Sequence, residues 1–307
     1  MSIAIIAPPR NVDSWLIHFT ELYPGETVEV WPNITKPDEV ECALVWYHPE
    51  GCLQDFPNLK MICSMGAGVD HIMRDHALPV GIPITRIVDD LLAKSMTRYI
   101  ITCVLNFHRR FLKYAEDKKE RVWDMKNPEI DVKVGILGIG QLGQDLARKL
   151  QLLDIDVIGF SRGAKSIDNI PTLHGENEMD EFLSQINILV CLLPLTKETE
   201  GILNRDLFRK MNKNTCLINV ARGKHLIEND LIWAIENEII SEAYLDVFNE
   251  EPLDIRHPFW NKREVFITPH IASVTNPLAA IPQVVNNLNN ARHNKPLSHQ
   301  VDMSKGY

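Results

Sequence analysis

Arg222, Glu251 and His270 each stand just past the carboxyl end of an apolar run of strand length (residues 215–220, 243–248 and 265–268), where open α/β sheets bind their ligands. An arginine offers a carboxylate a planar fork of donors and keeps its charge at any working pH, so Arg222 suits a 2-oxo acid. His270 can give a proton to a carbonyl oxygen and take it back in the reverse direction. Glu251 beside it would favour the imidazolium and fix the ring. Singly, each has a plainer reading: a strand cap, a solvated loop acid, a hydrogen-bonded turn residue.

A second group lies after the apolar run 132–137. Gly138-Ile139-Gly140-Gln141-Leu142-Gly143 has the glycine spacing of a phosphate-binding turn and opens a helix whose inward face reads Leu142, Leu146, Leu150 and Leu153. Gly138 permits the tight turn, Gly140 lets the backbone approach a pyrophosphate, and Gly143 lets helix and strand pack closely. The first N–H groups of the helix, at Gln141 and Leu142, bind the anion. About twenty residues on, an acid would select NAD by its ribose hydroxyls. This chain instead has Ser161 and Arg162, with Lys165 close behind, which can hold a 2'-phosphate. The expected cofactor is therefore NADP(H), with NAD(H) possible if Arg162 and Lys165 are ordinary solvated turn charges.

These residues need strands to carry them. Strand-length runs occur at 3–7, 27–30, 43–46, 60–64 and 82–85, then at 132–137, 156–160, 186–192, 215–220, 243–248 and 265–268. Helical periodicity lies between them, the pattern of a parallel sheet wound on both faces. Residues 89–123 read as one long helix. Residues 277–291 read as another, with Asn276 as N-cap, Pro277 at the first helical position and Pro282 as a weakening or kinking residue. The expected fold class is α/β, two Rossmann-like doubly wound parallel-sheet domains. The cofactor domain (99–276) is inserted in a substrate, or outer, domain formed by 1–98 and 277–307.

Composition removes other classes. With 307 residues, 45% hydrophobic and 24% charged, the chain is neither collagen-like, disordered nor a disulfide scaffold. A net charge of −9 repels polyanions, so no nucleic-acid partner is expected. Cys42, Cys52, Cys63, Cys103, Cys191 and Cys216 lack CxxC spacing and read as buried thiols of a cytoplasmic protein. No apolar run reaches the roughly 18 residues of a membrane span. The first residues read as a strand rather than a signal peptide. The 11 histidines show no ligand spacing, so no metal is expected.

Taken together, the 138–143 fingerprint, Ala221-Arg222-Gly223, Leu245-Asp246-Val247-Phe248 with Glu251-Pro252, and Thr268-Pro269-His270-Ile271-Ala272 resemble the D-isomer-specific 2-hydroxyacid dehydrogenases over essentially the whole chain. Within that family the chain is most similar to the glyoxylate/hydroxypyruvate reductase A group. The similarity lies in Ala43-Leu44-Val45-Trp46, Met65-Gly66-Ala67-Gly68-Val69-Asp70, His108-Arg109-Arg110-Phe111, Leu193-Pro194-Leu195-Thr196 and Val301-Asp302 through Gly306-Tyr307. The resemblance implies NADPH-dependent reduction of glyoxylate to glycolate and of hydroxypyruvate to D-glycerate. Arg222 would bind substrate, His270 would be the acid/base and Glu251 its partner. The amides of Ala67, Gly68 and Val69 would hold the substrate carboxylate, and Trp46 would line the pocket, its plainer reading being a core aromatic. Asp246 would lie near the nicotinamide, with Leu193, Pro194 and Val220 also on the cofactor side. A homodimer built around the helix near 91–119 is implied as well. Two other readings stay open: an NAD-dependent enzyme of another D-2-hydroxy acid, or a non-catalytic dinucleotide-sensing, corepressor-like protein. At 90–99 the chain departs from the family pattern, which has a Gly-containing turn and an acid where Arg98 stands.

Overall fold

The structure, a computed structural model, describes residues 2–8 and 10–303. Gly306-Tyr307, part of one motif above, lies outside the described residues. The strands in chain order are β1 Ser2–Ile6, β2 Thr27–Val30, β3 Val40–Val45, β4 Met61–Ser64, β5 Ile84–Thr85, β6 Lys133–Leu137, β7 Asp156–Ser161, β8 Thr172–His174, β9 Ile188–Cys191, β10 Thr215–Asn219, β11 Ile240–Leu245 and β12 Val265–Ile267. The α-helices are α1 Asp13–Leu22, α2 Asp70–Met73, α3 Asp90–His108, α4 Phe111–Glu120, α5 Gln141–Gln151, α6 Met179–Ser184, α7 Arg205–Phe208, α8 Glu228–Glu236 and α9 Pro277–Arg292.

The chain divides into two compact units, one of Met1–Leu92 with Val274–Tyr307 and one of Ala93–Ser273. In the first, a parallel sheet runs β2-β1-β3-β4-β5. Every residue of β1, β3 and β4 is buried, which is why these strands are mostly apolar, with the charged Glu41 inside β3. Alternate side chains feed two cores: Ile3, Ile5, Cys42 and Leu44 face one, Ala4, Ile6, Ala43 and Val45 the other. The second unit is a parallel sheet ordered β12-β11-β10-β9-β6-β7-β8, likewise with a core on each face. Both sheets are doubly wound, with the strand order reversing between β1 and β3 and between β6 and β9. The expected fold class is met.

Two local expectations are corrected, and one strand, β8, was not expected. The long helix breaks at Arg110, whose backbone turns left-handed (φ +57°) between α3 and α4. Its N–H bonds back to Phe107 O and its guanidinium to Asn127 O (2.7 Å). Strand β8 has only half-buried residues and carries no apolar run to announce it. Leu153 lies past the end of α5 and is 47% exposed, so Ala147 joins Leu146 and Leu150 on the buried face.

Helix α9 starts as its sequence directs, Asn276 Oδ1 accepting from Leu278 N, and Pro282 sits inside it without ending it. At its other end, Arg292 bonds Glu26 (2.8 and 3.0 Å) and Glu41 (2.8 Å), and Lys60 pairs with Glu41 (2.9 Å). Burial pushes the Glu41 carboxyl up, but Lys60 and Arg292 more than offset this and hold it below the usual range. The pairing energy is therefore present above the ordinary carboxylate range and is lost as the pH falls through the lowered value. Replacing Arg292 with Met leaves Glu26 without its cation and Glu41 with Lys60 alone, and should cost about 3 kcal/mol. Thermal melts at neutral pH check this, and the gap to the unaltered protein should narrow in acid.

Candidate active site

In the second unit the glycine turn joins β6 to α5 at the point where the strand order reverses. Gly138 has φ +102°, and a Cβ there would lie 2.8 Å from Leu192 O. A Cβ on Gly143 would collide with the Gly138 carbonyl, so the close packing of turn and helix requires glycine at both positions. Gly140 differs: a Cβ there would meet no protein atom within 4 Å. Its backbone, as N-cap of α5, faces open space beside the N–H groups of Gln141 and Leu142, which is room for a phosphate and fits a dinucleotide.

At the end of β7 the Ser161 side chain is buried and donates to Gly163 O (2.8 Å), shaping the turn. Arg162 and Lys165 are the exposed cations, with Lys165 Nζ donating to Ile139 O (3.3 Å) across the glycine turn. Past β9, the Pro194 carbonyl accepts from Thr199 Oγ1 (2.6 Å) and lies 3.3 Å from His225 Nε2.

Of the three strand-end residues, Glu251 and His270 are bonded to each other and Arg222 acts on Glu251 through its charge. Past β10, Asn219 spans the turn, accepting from Ala221 N (3.2 Å) and donating to Arg222 O (3.1 Å). His225, fully buried, accepts from Arg222 N through Nδ1 (3.2 Å). Val220, ahead of them, is buried. A Cβ on Gly223 would collide with the Phe248 carbonyl, so only glycine lets the Arg222 loop lie against the loop that follows β11. In that loop Glu251 accepts from Phe248 N (3.0 Å), and its other oxygen is 2.8 Å from His270 Nδ1. Burial raises the Glu251 carboxyl, but the bond and charge of His270, the Phe248 N–H and the Arg222 charge outweigh it and hold it below the usual range. At neutral pH it is a carboxylate that keeps a proton on His270 Nδ1.

Asp246, only 1% exposed, is wholly occupied by the His270 loop. Its carboxylate accepts from Thr268 Oγ1 (2.6 Å), Ile271 N (2.9 Å) and Ala272 N (2.8 Å), while its carbonyl accepts from His270 N (2.9 Å). Sequence reasoning missed Asn219, His225 and Thr268. The polar residues flanking Arg222 and preceding His270 were the available signal.

The first unit holds a separate group. After β4 the carbonyls of Gly66, Ala67 and Gly68 accept from Ile87 N (3.0 Å), Arg86 Nη1 (3.4 Å) and Ser64 Oγ (2.7 Å). The N–H groups of Ala67, Gly68 and Val69 have no acceptor among the described residues, which leaves a row of donors. Trp46, 7% exposed, packs in the core cluster and against Gly66, where a Cβ would lie 3.1 Å from the indole. The Arg10 guanidinium lies 3.8 Å over that ring, and the His71 ring packs on it at 4.6 Å. No group of three or more metal-ligating side chains is found among the described residues.

A glycine turn at the switch point of a doubly wound sheet, with an arginine and a paired histidine at neighbouring strand ends, defines a dinucleotide-binding oxidoreductase. The chain belongs to the D-isomer-specific 2-hydroxyacid dehydrogenase family, whose NAD-binding-domain model matches residues 101–272. It is 37% identical, over the full length of both chains, to the glyoxylate/hydroxypyruvate reductase A of Serratia proteamaculans. The same holds for that of Yersinia enterocolitica. Among solved structures, a D-isomer-specific 2-hydroxyacid dehydrogenase from Xanthobacter autotrophicus, in complex with NADPH and MES, superposes with a TM-score of 0.93 at 34% identity, covering 100% of this chain and 99% of that one. An NADPH-dependent glyoxylate/hydroxypyruvate reductase from Sinorhizobium meliloti, with NADP and sulfate, gives 0.92 at 33% identity and the same coverage.

Proposed function

We propose that the protein uses NADPH to reduce small 2-oxo acids, glyoxylate and hydroxypyruvate first, giving glycolate and D-glycerate. The observation that carries this reading is the 2.8 Å contact between Glu251 and His270 Nδ1. It fixes the ring and makes the Nε2 proton the one that chemistry moves. The bound nicotinamide supplies a hydride to the carbonyl carbon. His270 donates its Nε2 proton to the carbonyl oxygen as negative charge develops there, and Arg222 binds and polarises the oxo acid. The N–H groups of Ala67, Gly68 and Val69 take the substrate carboxylate, and Trp46 lines the substrate site. Gly138, Gly140, Gln141, Leu142 and Gly143 hold the pyrophosphate, with Leu193, Pro194, Val220 and Asp246 on the cofactor side and Arg162 and Lys165 on the 2'-phosphate.

Residues 99–276 act as the cofactor domain and the remainder as the substrate domain. A homodimer is supported by the exposed Phe111 (61%), Trp123 (91%) and Met125 (79%) on α4 and the segment after it, a helix with no buried residue of its own. The six cysteines are free and buried, which favours the reducing cytoplasm. No described helix is long and apolar enough to cross a membrane.

Initial rates of NADPH consumption with glyoxylate, hydroxypyruvate, pyruvate and no acceptor, each repeated with NADH, test the reading. Fast turnover of the first two with NADPH is expected. Tight cofactor binding without turnover on any of them would replace it with the binding-protein reading. Arg162→Asp should weaken NADPH roughly 10-fold or more relative to NADH, the size of a lost charge-assisted phosphate contact. Fluorescence titrations of both cofactors check this, and an unchanged ratio makes Arg162 a solvated turn charge.

A further inference from the structure

Residues 90–99 form the start of α3 and end against the loop that carries His270. Ser95 Oγ donates to Ala272 O (3.1 Å), and one helical turn later Tyr99 Oη lies 2.7 Å from Thr268 Oγ1. His270 sits between those two loop residues. Thr97, on the opposite face of the helix, donates to Asp145 Oδ2 of α5 (2.7 Å), so α3 is fixed to the cofactor helix by one face while the other touches the loop. Thr268 gives its hydroxyl proton to Asp246 (2.6 Å) and therefore accepts from Tyr99, making one directed chain of hydrogen bonds from α3 to the buried carboxylate.

His270 needs such holding because its backbone is left-handed (φ +54°), a conformation uncommon outside glycine that persists only where neighbouring contacts enforce it. Asp246 grips the loop from the strand side, through Thr268, Ile271 and Ala272. Nothing in the roles already given to the site uses Ser95 or Tyr99.

The geometry assigns Tyr99 and Ser95 as positioning residues that clamp both ends of the 268–272 loop and so hold His270 in register with Glu251. The assignment rests on His270 being the proton donor of the proposed reaction. Burial pushes the Tyr99 phenol well above its usual value, so it stays a donor across the working pH range and the clamp does not titrate. The charged and titratable groups around the loop are Glu251 on the ring, Asp246 beneath it, Tyr99 and Cys103 on α3, and Arg222, which acts on Glu251. Of these, Glu251 is the one whose distance to the ring depends on the loop.

The test follows the His270 ring titration by NMR in the full-length protein, with the resonance assigned by its loss in His270→Gln. Tyr99→Phe and Thr268→Val should each lower the midpoint, because a slack loop lets the ring drift from Glu251 and the imidazolium loses support. The expected change is roughly three-fold or more in the protonation equilibrium. Thr268→Ser, which keeps the hydroxyl, should restore it. In glyoxylate reduction Thr268→Val should lower kcat roughly 10-fold with little change in KM, as misplacing a reacting group does. The alkaline limb of its pH profile should move to lower pH, and NADPH affinity should be kept. An unmoved midpoint in both Tyr99→Phe and Thr268→Val overturns the clamp, whatever the rates. A midpoint that moves as expected in a protein that reduces no 2-oxo acid upholds the clamp and overturns the proposed reaction instead.

Discussion

Replacing His270 with Gln should lower kcat for glyoxylate reduction by roughly 100-fold to 10,000-fold, the usual contribution of a positioned general acid. Glutamine keeps much of the size and one hydrogen-bonding end of the imidazole, so the loop should hold its place on Asp246, whose bonds are to Thr268 Oγ1 and to backbone N–H groups. What disappears is the transferable ring proton on Nε2. NADPH binding, measured by fluorescence, should change little, since the glycine turn and Arg162 lie on other loops. Near-normal turnover in this variant would overturn the proton-donor assignment. Glu251→Gln should show a milder loss in the same direction, because it removes the negative charge from the ring's partner while leaving an acceptor beside Nδ1.

Arg222→Gln should reduce kcat/KM for the oxo acid by roughly 100-fold or more, chiefly through KM, because it removes a charge-assisted contact to a carboxylate. Arg222→Lys should recover part of it, since the charge returns without the planar fork. The loop loses one bond, from the Arg222 guanidinium to Ala221 O (2.6 Å), and keeps the others. Asn219 and His225 bond the backbone of Arg222 rather than its guanidinium, and the contact at Phe248 belongs to Gly223. Steady-state kinetics with glyoxylate as the varied substrate separate the two parameters. An effect confined to the KM of NADPH would move Arg222 to the cofactor.

How much of this was legible depended on which contacts are local. Parallel strands buried on both faces leave continuous apolar runs, so β1, β4, β6, β7 and β10 could be read almost residue by residue, while β3 begins three residues before its expected run because Glu41 interrupts it, and β9 is shorter than its run at both ends. Strand β11 ends at Leu245, sooner than its apolar run, because Asp246 must leave the ladder to hold the His270 loop. Its carboxylate, placed near the nicotinamide by resemblance, is spent on three bonds from residues 22 to 26 positions away, a pairing with no sequence period. The left-handed Arg110 was equally silent, since arginine is no turn signal and the helical period runs on to Phe107. Tyr99 read as one more apolar step of a helix. Its hydroxyl acquired a meaning only when Thr268, far along the chain, came to lie 2.7 Å from it.

The division of the chain also orders its birth on the ribosome. The unit of Ala93–Ser273 is one uninterrupted run and can close as soon as it has been made. The other unit needs Ala280, Ile281, Val284, Val285 and Leu288 of α9 to cover Ile3, Ile5 and Leu44. Those residues are translated after the whole of the second unit, so β1 and β3 wait, with one apolar face only partly covered by Trp15 and Phe19, while that unit is made. A nascent chain stalled before Pro277 would carry a folded second unit beside a first sheet that still exposes apolar side chains on one face.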